Sequence, residues 1–206
     1  MIKKILIFFF CLYSLNSFAE EEANFNIWLN DFKSKAIKLG ISKKTVNRTF
    51  KNTKYLKKVI IYDRRQPEFF EDTKTYIKKR ATSSRALQAK AMMIKNLEIF
   101  EIVEKKFKVE KEILLSLWAI ETNFGKHVGK MDIISSLATL SFDKRRSKYF
   151  TGELIVLLEL IDQNLINVDT LYGSWAGAFG NFQFMPSTIK NYAIDYDQNN
   201  KIELKK

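Results

Sequence analysis

Apolar residues in this chain recur every three or four positions from Phe25 to Tyr192, and no stretch alternates apolar and polar residues as a half-buried strand would. That pattern limits the fold to a mostly α architecture. Phe25, Trp28, Leu29, Phe32, Ala36 and Leu39 mark one amphipathic helix, with Gly40 at the position of a C-terminal cap. Ser42 is placed to cap a second, short helix carrying Val46 and Phe50. Tyr55 to Phe70 has mixed periodicity with a break expected at Gln66-Pro67. Leu87, Ala91, Ile94, Leu97, Phe100 and Val103 predict one long helix from about Arg85 to Phe107, with a basic outer face. Further helices are expected from Val109 to Asn123, from Gly152 to Leu165, and from Pro186 to about Tyr192; Asp143 to Tyr149 reads as a charged turn. Gly173, Gly177 and Gly180 fall in one short segment, which points to close approach of backbone to backbone or to ligand.

Residues 1–19 have the layout of a secretory leader: Lys3 and Lys4, an apolar run from Ile5 to Leu15, then Ser17-Phe18-Ala19 before three glutamates. Cleavage after Ala19 is expected, and the run is too short for a comfortable membrane span of about 20 residues. The single cysteine, Cys11, lies inside it, so the mature chain should carry no disulfide. With one histidine and one cysteine, Cys/His metal clusters are excluded, and a Ser-His-Asp triad could draw only on His127. Thirty-five Lys and Arg against 23 Asp and Glu give a net charge of +12, which suits a polyanionic partner. Nucleic acid, anionic lipid and an acidic wall polymer all meet that description. An exported basic chain turns the reading from nucleic acid towards the cell envelope.

Glu121 is the most informative carboxylate. It ends the apolar run Ile113-Leu114-Leu115-Ser116-Leu117-Trp118-Ala119-Ile120, and on a helix it shares a face with Leu114 and Leu117. A carboxylate there should face the interior or a cleft wall, where desolvation raises its pKa towards what a general acid needs. The alternative is a glutamate at a helix C-terminus that pairs with Lys126 or a nearby backbone group. Asp132, Asp143 and Glu153 lie in polar or charged settings and are expected to be solvated or salt-bridged.

The block Glu121-Thr122-Asn123-Phe124-Gly125, followed by Gly173-Ser174-Trp175-Ala176-Gly177-Ala178-Phe179-Gly180 and Gln183-Phe184-Met185-Pro186-Ser187, resembles the lytic murein transglycosylase B family. The likeness continues through Ser136-Leu137-Ala138-Thr139-Leu140-Ser141-Phe142 and from Arg145-Arg146 to Glu153-Leu154. It is weaker at Gln66-Pro67-Glu68-Phe69 and Tyr76-Ile77-Lys78-Lys79-Arg80. The resemblance implies a goose-type lysozyme-like core in a bacterial envelope enzyme. Under it, a helical N-terminal part reaches to about residue 108 and the catalytic core begins at about 109. By the same resemblance Glu121 matches the catalytic acid and base, Ser174 and Gln183 match positions facing the sugar chain, and Tyr76 falls where an aromatic hydroxyl lies near the site.

The reaction implied is non-hydrolytic cleavage of the MurNAc-GlcNAc β-1,4 bond of peptidoglycan to give 1,6-anhydromuramoyl products, with one Glu serving as acid and then base. The localisation implied is the periplasm, the partner a peptidoglycan strand, and the state a monomer without a required cofactor. Trp175, Tyr149 and Phe182 could offer faces to sugar rings, although aromatic residues amid Leu and Ile are usually core. His127 is expected to be a surface or satisfied histidine. Asp195, Asp197 and Asn199 have the spacing of a calcium loop, but Asn200 replaces the turn glycine and Lys206 the last carboxylate. The family continues beyond the point reached at Lys206 with a part that closes one cleft wall, so the chain is expected to be truncated. That leaves a catalytically inactive peptidoglycan-binding fragment as the alternative, and a nucleic-acid binder as a third reading carried by charge alone.

Overall fold

The computed structural model describes the backbone of residues 2–66 and 71–205, and the side chains within them from Glu20 onward, Thr170 apart. The described elements run α1 (Ile2–Lys38), α2 (Lys43–Thr49), α3 (Lys57–Arg64), α4 (Thr73–Arg80), α5 (Ser83–Lys95), α6 (Leu97–Phe107), α7 (Lys111–Thr122), β1 (Met131–Asp132), α8 (Ile133–Phe142), α9 (Ser147–Asp162), a 3-10 turn (Val168–Thr170), β2 (Tyr172–Gly173) and α10 (Pro186–Tyr192). The mostly α fold and lysozyme-like architecture expected from periodicity and resemblance are what the chain adopts. β1 and β2 form a two-residue antiparallel ladder, Met131 opposite Gly173 and Asp132 opposite Tyr172. The side chains of the leader-like segment and the motif at Pro67-Glu68-Phe69 lie outside the described residues. Among the described residues no helix is long and apolar enough to cross a membrane.

Local chemistry starts half of the ten described helices. The Ser42 hydroxyl accepts from the Thr45 amide at 3.2 Å, Asp72 from Thr75 at 3.0 Å, Thr82 from Arg85 at 3.2 Å and Asp132 from Ser135 at 2.6 Å. Each removes one of the orphan donors at a helix start. Pro186 opens α10 with its φ already set for a helix.

Two expectations are corrected. The single helix expected from Arg85 to Phe107 is two helices, broken at Asn96 (φ −121°, ψ 24°). The Asn96 backbone N–H still reaches the Met92 carbonyl at 3.1 Å, and its side-chain amide adds a second bond to the same carbonyl at 2.9 Å, which holds the residue in its non-helical conformation at the end of α5. The helix expected from Gly152 begins at Ser147 instead, which shortens the charged turn after Asp143. The segment left unassigned between Tyr55 and Phe70 contains α3, which ends at Arg64, before the proline.

Most of the core lies between α1, α2, α3, α8, α9 and α10. Phe25, Val46, Val59, Leu137, Leu154, Leu157, Leu158 and Ile189 are all fully buried there. A second, smaller cluster of Phe100, Leu115, Ala119 and Phe124 joins α6 and α7, with Ala89, Met92 and Met93 of α5 against it. Lys108, in a left-handed conformation (φ 58°), makes the turn from α6 to α7.

Candidate active site

α7 buries Leu115, Ala119 and Thr122, the i, i+4 and i+7 positions of one stripe. Glu121 lies on the neighbouring stripe with Leu117, and both are exposed. Of the two placements expected for Glu121, the interior and a cleft wall, the interior is excluded: the small cluster draws in Leu115 and Ala119, and the Leu117–Glu121 face is left open. The carboxyl is nevertheless pushed above its ordinary value, and withdrawal of water by the surrounding protein is the cause. Among the described residues Glu121 has neither an ion pair with Lys126 nor another cation to offset this. Its place in the last turn of α7 acts in the same direction, because the carbonyl end of a helix disfavours a negative charge.

The chain unwinds directly after Glu121. Asn123 (φ 50°), Phe124 (φ 59°) and Gly125 (φ 79°) are all left-handed, and the Phe124 ring meets Trp118 edge-on with centroids 5.8 Å apart. The loop that follows runs against the glycine-rich segment. A Cβ on Gly129 would lie 2.0 Å from the Gly173 carbonyl oxygen, so no other residue allows the two backbones to meet as they do. Gly177 (φ 95°) is similarly fixed, with Leu137 where its side chain would be.

Ser174 sits in the turn this creates. Its hydroxyl oxygen accepts from the Ala178 amide at 3.0 Å, and its backbone N–H donates to the Ala178 carbonyl at 2.8 Å. The hydroxyl proton is left to donate to a ligand. Gln183 (φ 50°) spends its side-chain NH₂ on the Gly180 carbonyl at 2.9 Å and the Val128 carbonyl at 3.2 Å. Sequence reasoning expected this amide to offer both a donor and an acceptor to sugar; the donors are committed, and the carbonyl oxygen is the group that remains. Phe179 and Phe184 close the turn with a bridge, and Phe182 stacks on Phe184 at 6.1 Å.

Glu121 and the Ser174–Gln183 loop are therefore brought together by the loop from Thr122 to Gly129. Tyr76 is placed differently. It stands on α4 under the Arg80 guanidinium, 3.6 Å from its ring centre, and faces a groove of about 460 Å³ walled by Ile77, Arg80, Ser116, Ala119 and Ile120. That groove reaches α7 one residue before Glu121, but Ser174 and Gln183 do not line it. Tyr149 is exposed, with Arg146 5.1 Å from its ring centre, whereas Trp175 packs against the main core. His127 is exposed, and its backbone N–H donates to the Thr122 carbonyl at 2.8 Å.

The other carboxylates are structural. Asp132 caps α8, and Asp143 receives both oxygens' bonds from Arg64 at 2.8 and 3.0 Å. Glu153 departs from expectation: it is only 5% exposed and takes the Ser187 amide at 2.9 Å and hydroxyl at 2.6 Å, joining α9 to the start of α10. Sequence reasoning also passed over Asp63, 1% exposed, which faces Arg64 at 2.7 Å, Arg145 at 2.9 Å and Arg146 at 3.8 Å. The pair of arginines at 145 and 146 was the only signal of it.

In the Asp195–Asn199 loop the side-chain oxygens turn to backbone amides of the loop itself. Asp195 turns its two oxygens to the Asn199 and Asn200 amides at 3.1 and 2.6 Å, and the Asn199 side-chain oxygen accepts from the Lys201 amide at 2.9 Å. Among the described residues no group of three or more His, Cys, Asp or Glu is arranged to hold a metal ion.

Residues 24–206 match the family described as Transglycosylase SLT domain. Over 99 residues, 48% of this chain and 27% of the relative, the sequence is 41% identical to Membrane-bound lytic murein transglycosylase B of Escherichia coli (strain K12). SltB3 from Pseudomonas aeruginosa, in complex with NAG-NAM-pentapeptide, aligns with a TM-score of 0.83 at 30% identity, over 88% of this chain and 48% of that one. An Escherichia coli lytic transglycosylase in complex with calcium aligns with a TM-score of 0.72 at 30% identity, over 89% of this chain and 58% of that one. The chain thus spans about half the length of these solved relatives.

Proposed function

The chain belongs to the Transglycosylase SLT domain family, and from that premise we propose that it is a lytic murein transglycosylase of the cell envelope, exported to the periplasm, with Glu121 as its acid and base. The observation that carries this reading is a single carboxyl, raised by partial withdrawal of water with no ion pair among the described residues to offset it, on a helix whose next residue, Thr122, is bonded to the glycine-rich segment at Asn181. A carboxyl of raised pKa stays protonated closer to neutral pH, which is the state a proton donor needs.

Glu121 donates its proton to the oxygen linking MurNAc to GlcNAc as the bond from that oxygen to C1 breaks. The muramic N-acetyl group stabilises the oxocarbenium-like centre. Glu121, now a carboxylate, takes the proton from the muramic 6-hydroxyl, whose oxygen bonds to C1 and closes the 1,6-anhydro ring. Glu121 ends protonated, as it began, and no water is consumed. Two-carboxylate hydrolases place the second group roughly 5 to 9.5 Å from the first; Asp132, Asp143 and Glu153 are all held by structural partners, which favours a mechanism with one carboxyl assisted by the substrate's N-acetyl group. Ser174 and the Gln183 carbonyl orient the sugar, and Tyr76 lines the neighbouring groove. The net positive charge favours a polymer bearing peptide carboxylates. No step passes through calcium.

The test is mass spectrometry of murein sacculi digested by the full chain. Release of 1,6-anhydromuropeptides that falls about 10²- to 10⁴-fold in Glu121→Gln is expected for loss of a general acid and base. Undiminished release by that variant rejects Glu121. A folded chain that binds sacculi and releases nothing is the inactive binding fragment.

A further inference from the structure

We propose that Thr122 is a positioning residue: its hydroxyl ties the end of the helix carrying Glu121 to the Asn181 peptide, and so fixes the register between the carboxyl and the loop carrying Ser174 and Gln183. This rests on the reading of Glu121 as the acid and base. Thr122 is fully buried. Its hydroxyl has one proton and two carbonyls in reach, Asn181 at 2.7 Å and Trp118 at 3.4 Å. The shorter contact takes the proton. The hydroxyl oxygen in turn accepts from the Gly125 amide at 3.0 Å.

That arrangement differs from the usual fate of a threonine in a helix, whose hydroxyl bonds back to a carbonyl of its own preceding turn. Here the proton crosses to a segment 59 residues further along the chain. The tie is needed because α7 ends in three consecutive left-handed residues, so nothing in the helix itself fixes where the last turn lies relative to the glycine-rich loop. Thr122 also holds the returning strand of that loop, since its carbonyl accepts from the His127 amide.

The Asn181 peptide is gripped on both sides. Its carbonyl receives Thr122, and its N–H donates to the Leu204 carbonyl at 2.7 Å. Two positions on, the Gln183 amide reaches Val128. The end of the helix carrying Glu121 and the sugar-facing loop therefore share one small lattice of bonds, which Thr122 enters as the residue next to Glu121 in the chain. A displacement of about 1 Å at such a joint is enough to cost a reaction about 100-fold.

The experiment compares Thr122→Val and Thr122→Ser in the full chain. Valine keeps the shape and removes both bonds; serine keeps both bonds. kcat and KM are measured on murein glycan strands, with ¹³C NMR titration of the Glu121 carboxyl and amide exchange at Gly125 and Gln183. Thr122→Val is expected to lower kcat about 10- to 100-fold with KM within about threefold, to move the Glu121 titration and to speed exchange at both amides. Thr122→Ser is expected to restore all of these. If valine unfolds the chain, Thr122→Ala makes the same deletion with less bulk. A parental chain that releases no anhydro product defeats the activity reading, and the titration and exchange then decide this one. An unmoved titration with unchanged Gln183 exchange in Thr122→Val overturns it, as does a serine variant that behaves like valine.

Discussion

The body formed by α1, α2, α3, α8, α9 and α10 encloses a large, fully buried core, although Ile27, Ile61 and Tyr192 stay exposed, whereas the α5–α6–α7 layer has only a small core and leaves many of its apolar residues in water. Leu137, Leu157 and Leu158 are fully buried in the first. In the second, Leu87 is 68% and Ile94 78% exposed, and Ile113, Leu117 and Ile120 of α7 are about half exposed. The glycine-rich loop is rooted in the body through Gly177 against Leu137 and Gly173 against Ile133. Glu121 comes from the thin layer. The candidate site therefore sits at a seam: a firmly packed loop on one side, a lightly packed helix on the other, and a few bonds from Thr122 and Gln183 between them. Local opening free energies follow burial, so the seam is where small changes should register.

The largest effect expected is on the body's ionic anchor. Asp63→Ala leaves three arginines facing a buried hole and should cost about 3–5 kcal/mol in urea unfolding; a loss below about 1 kcal/mol would mean that Asp63 does not hold α3 to the turn before α9. Next, Leu157→Ala should cost about 4 kcal/mol and Leu115→Ala about 2 kcal/mol, because a cavity in the thin layer can relax towards solvent. Equal losses would erase the contrast between the two regions. Ser187→Ala removes one of the two bonds to Glu153 and should cost about 1–2 kcal/mol, read as a lower Tm.

The smallest effect concerns Glu121 and has a definite sign. Its folded pKa is raised, so the native carboxyl holds its proton at pH values where the unfolded chain has already lost it. Stability is therefore full below the ordinary carboxylate range and is lost as pH rises through the folded value. Glu121→Gln should match the parent in Tm near pH 3 and exceed it slightly at pH 7. A variant less stable than the parent at pH 7 would place a favourable partner on Glu121.

Several helices were legible because they are periodic, and Ser42 and Pro186 mark starts that the backbone uses; α4 and α8 were not expected, and Asp132, read as a solvated or salt-bridged carboxylate, is the cap of α8. The break at Asn96 was not legible, since an asparagine inside an unbroken apolar repeat gives no pattern-level warning that its side chain will take the Met92 carbonyl. The resemblance placed Glu121, Ser174 and Gln183, and the structure puts these on two segments that meet through backbone contacts at Gly129 and Gly173. Which face of α7 turns inward was misread, because spacing alone cannot distinguish Leu114 and Leu117 from Leu115 and Ala119 when nearly every residue of the run is apolar. Glu153 and Asp63 escaped for a different reason. Their partners, Ser187 and Arg145, lie 34 and 82 residues away, and nothing local in a charged segment announces a buried carboxylate.

In the proposed reaction one carboxyl breaks a glycosidic bond and closes a ring without solvent as a reactant. Digestion of murein sacculi by the full chain in H₂¹⁸O tests it most directly, with the muramic ends read by mass spectrometry. The account predicts anhydro ends free of ¹⁸O; reducing muramic ends carrying ¹⁸O at C1 as the primary product would contradict it.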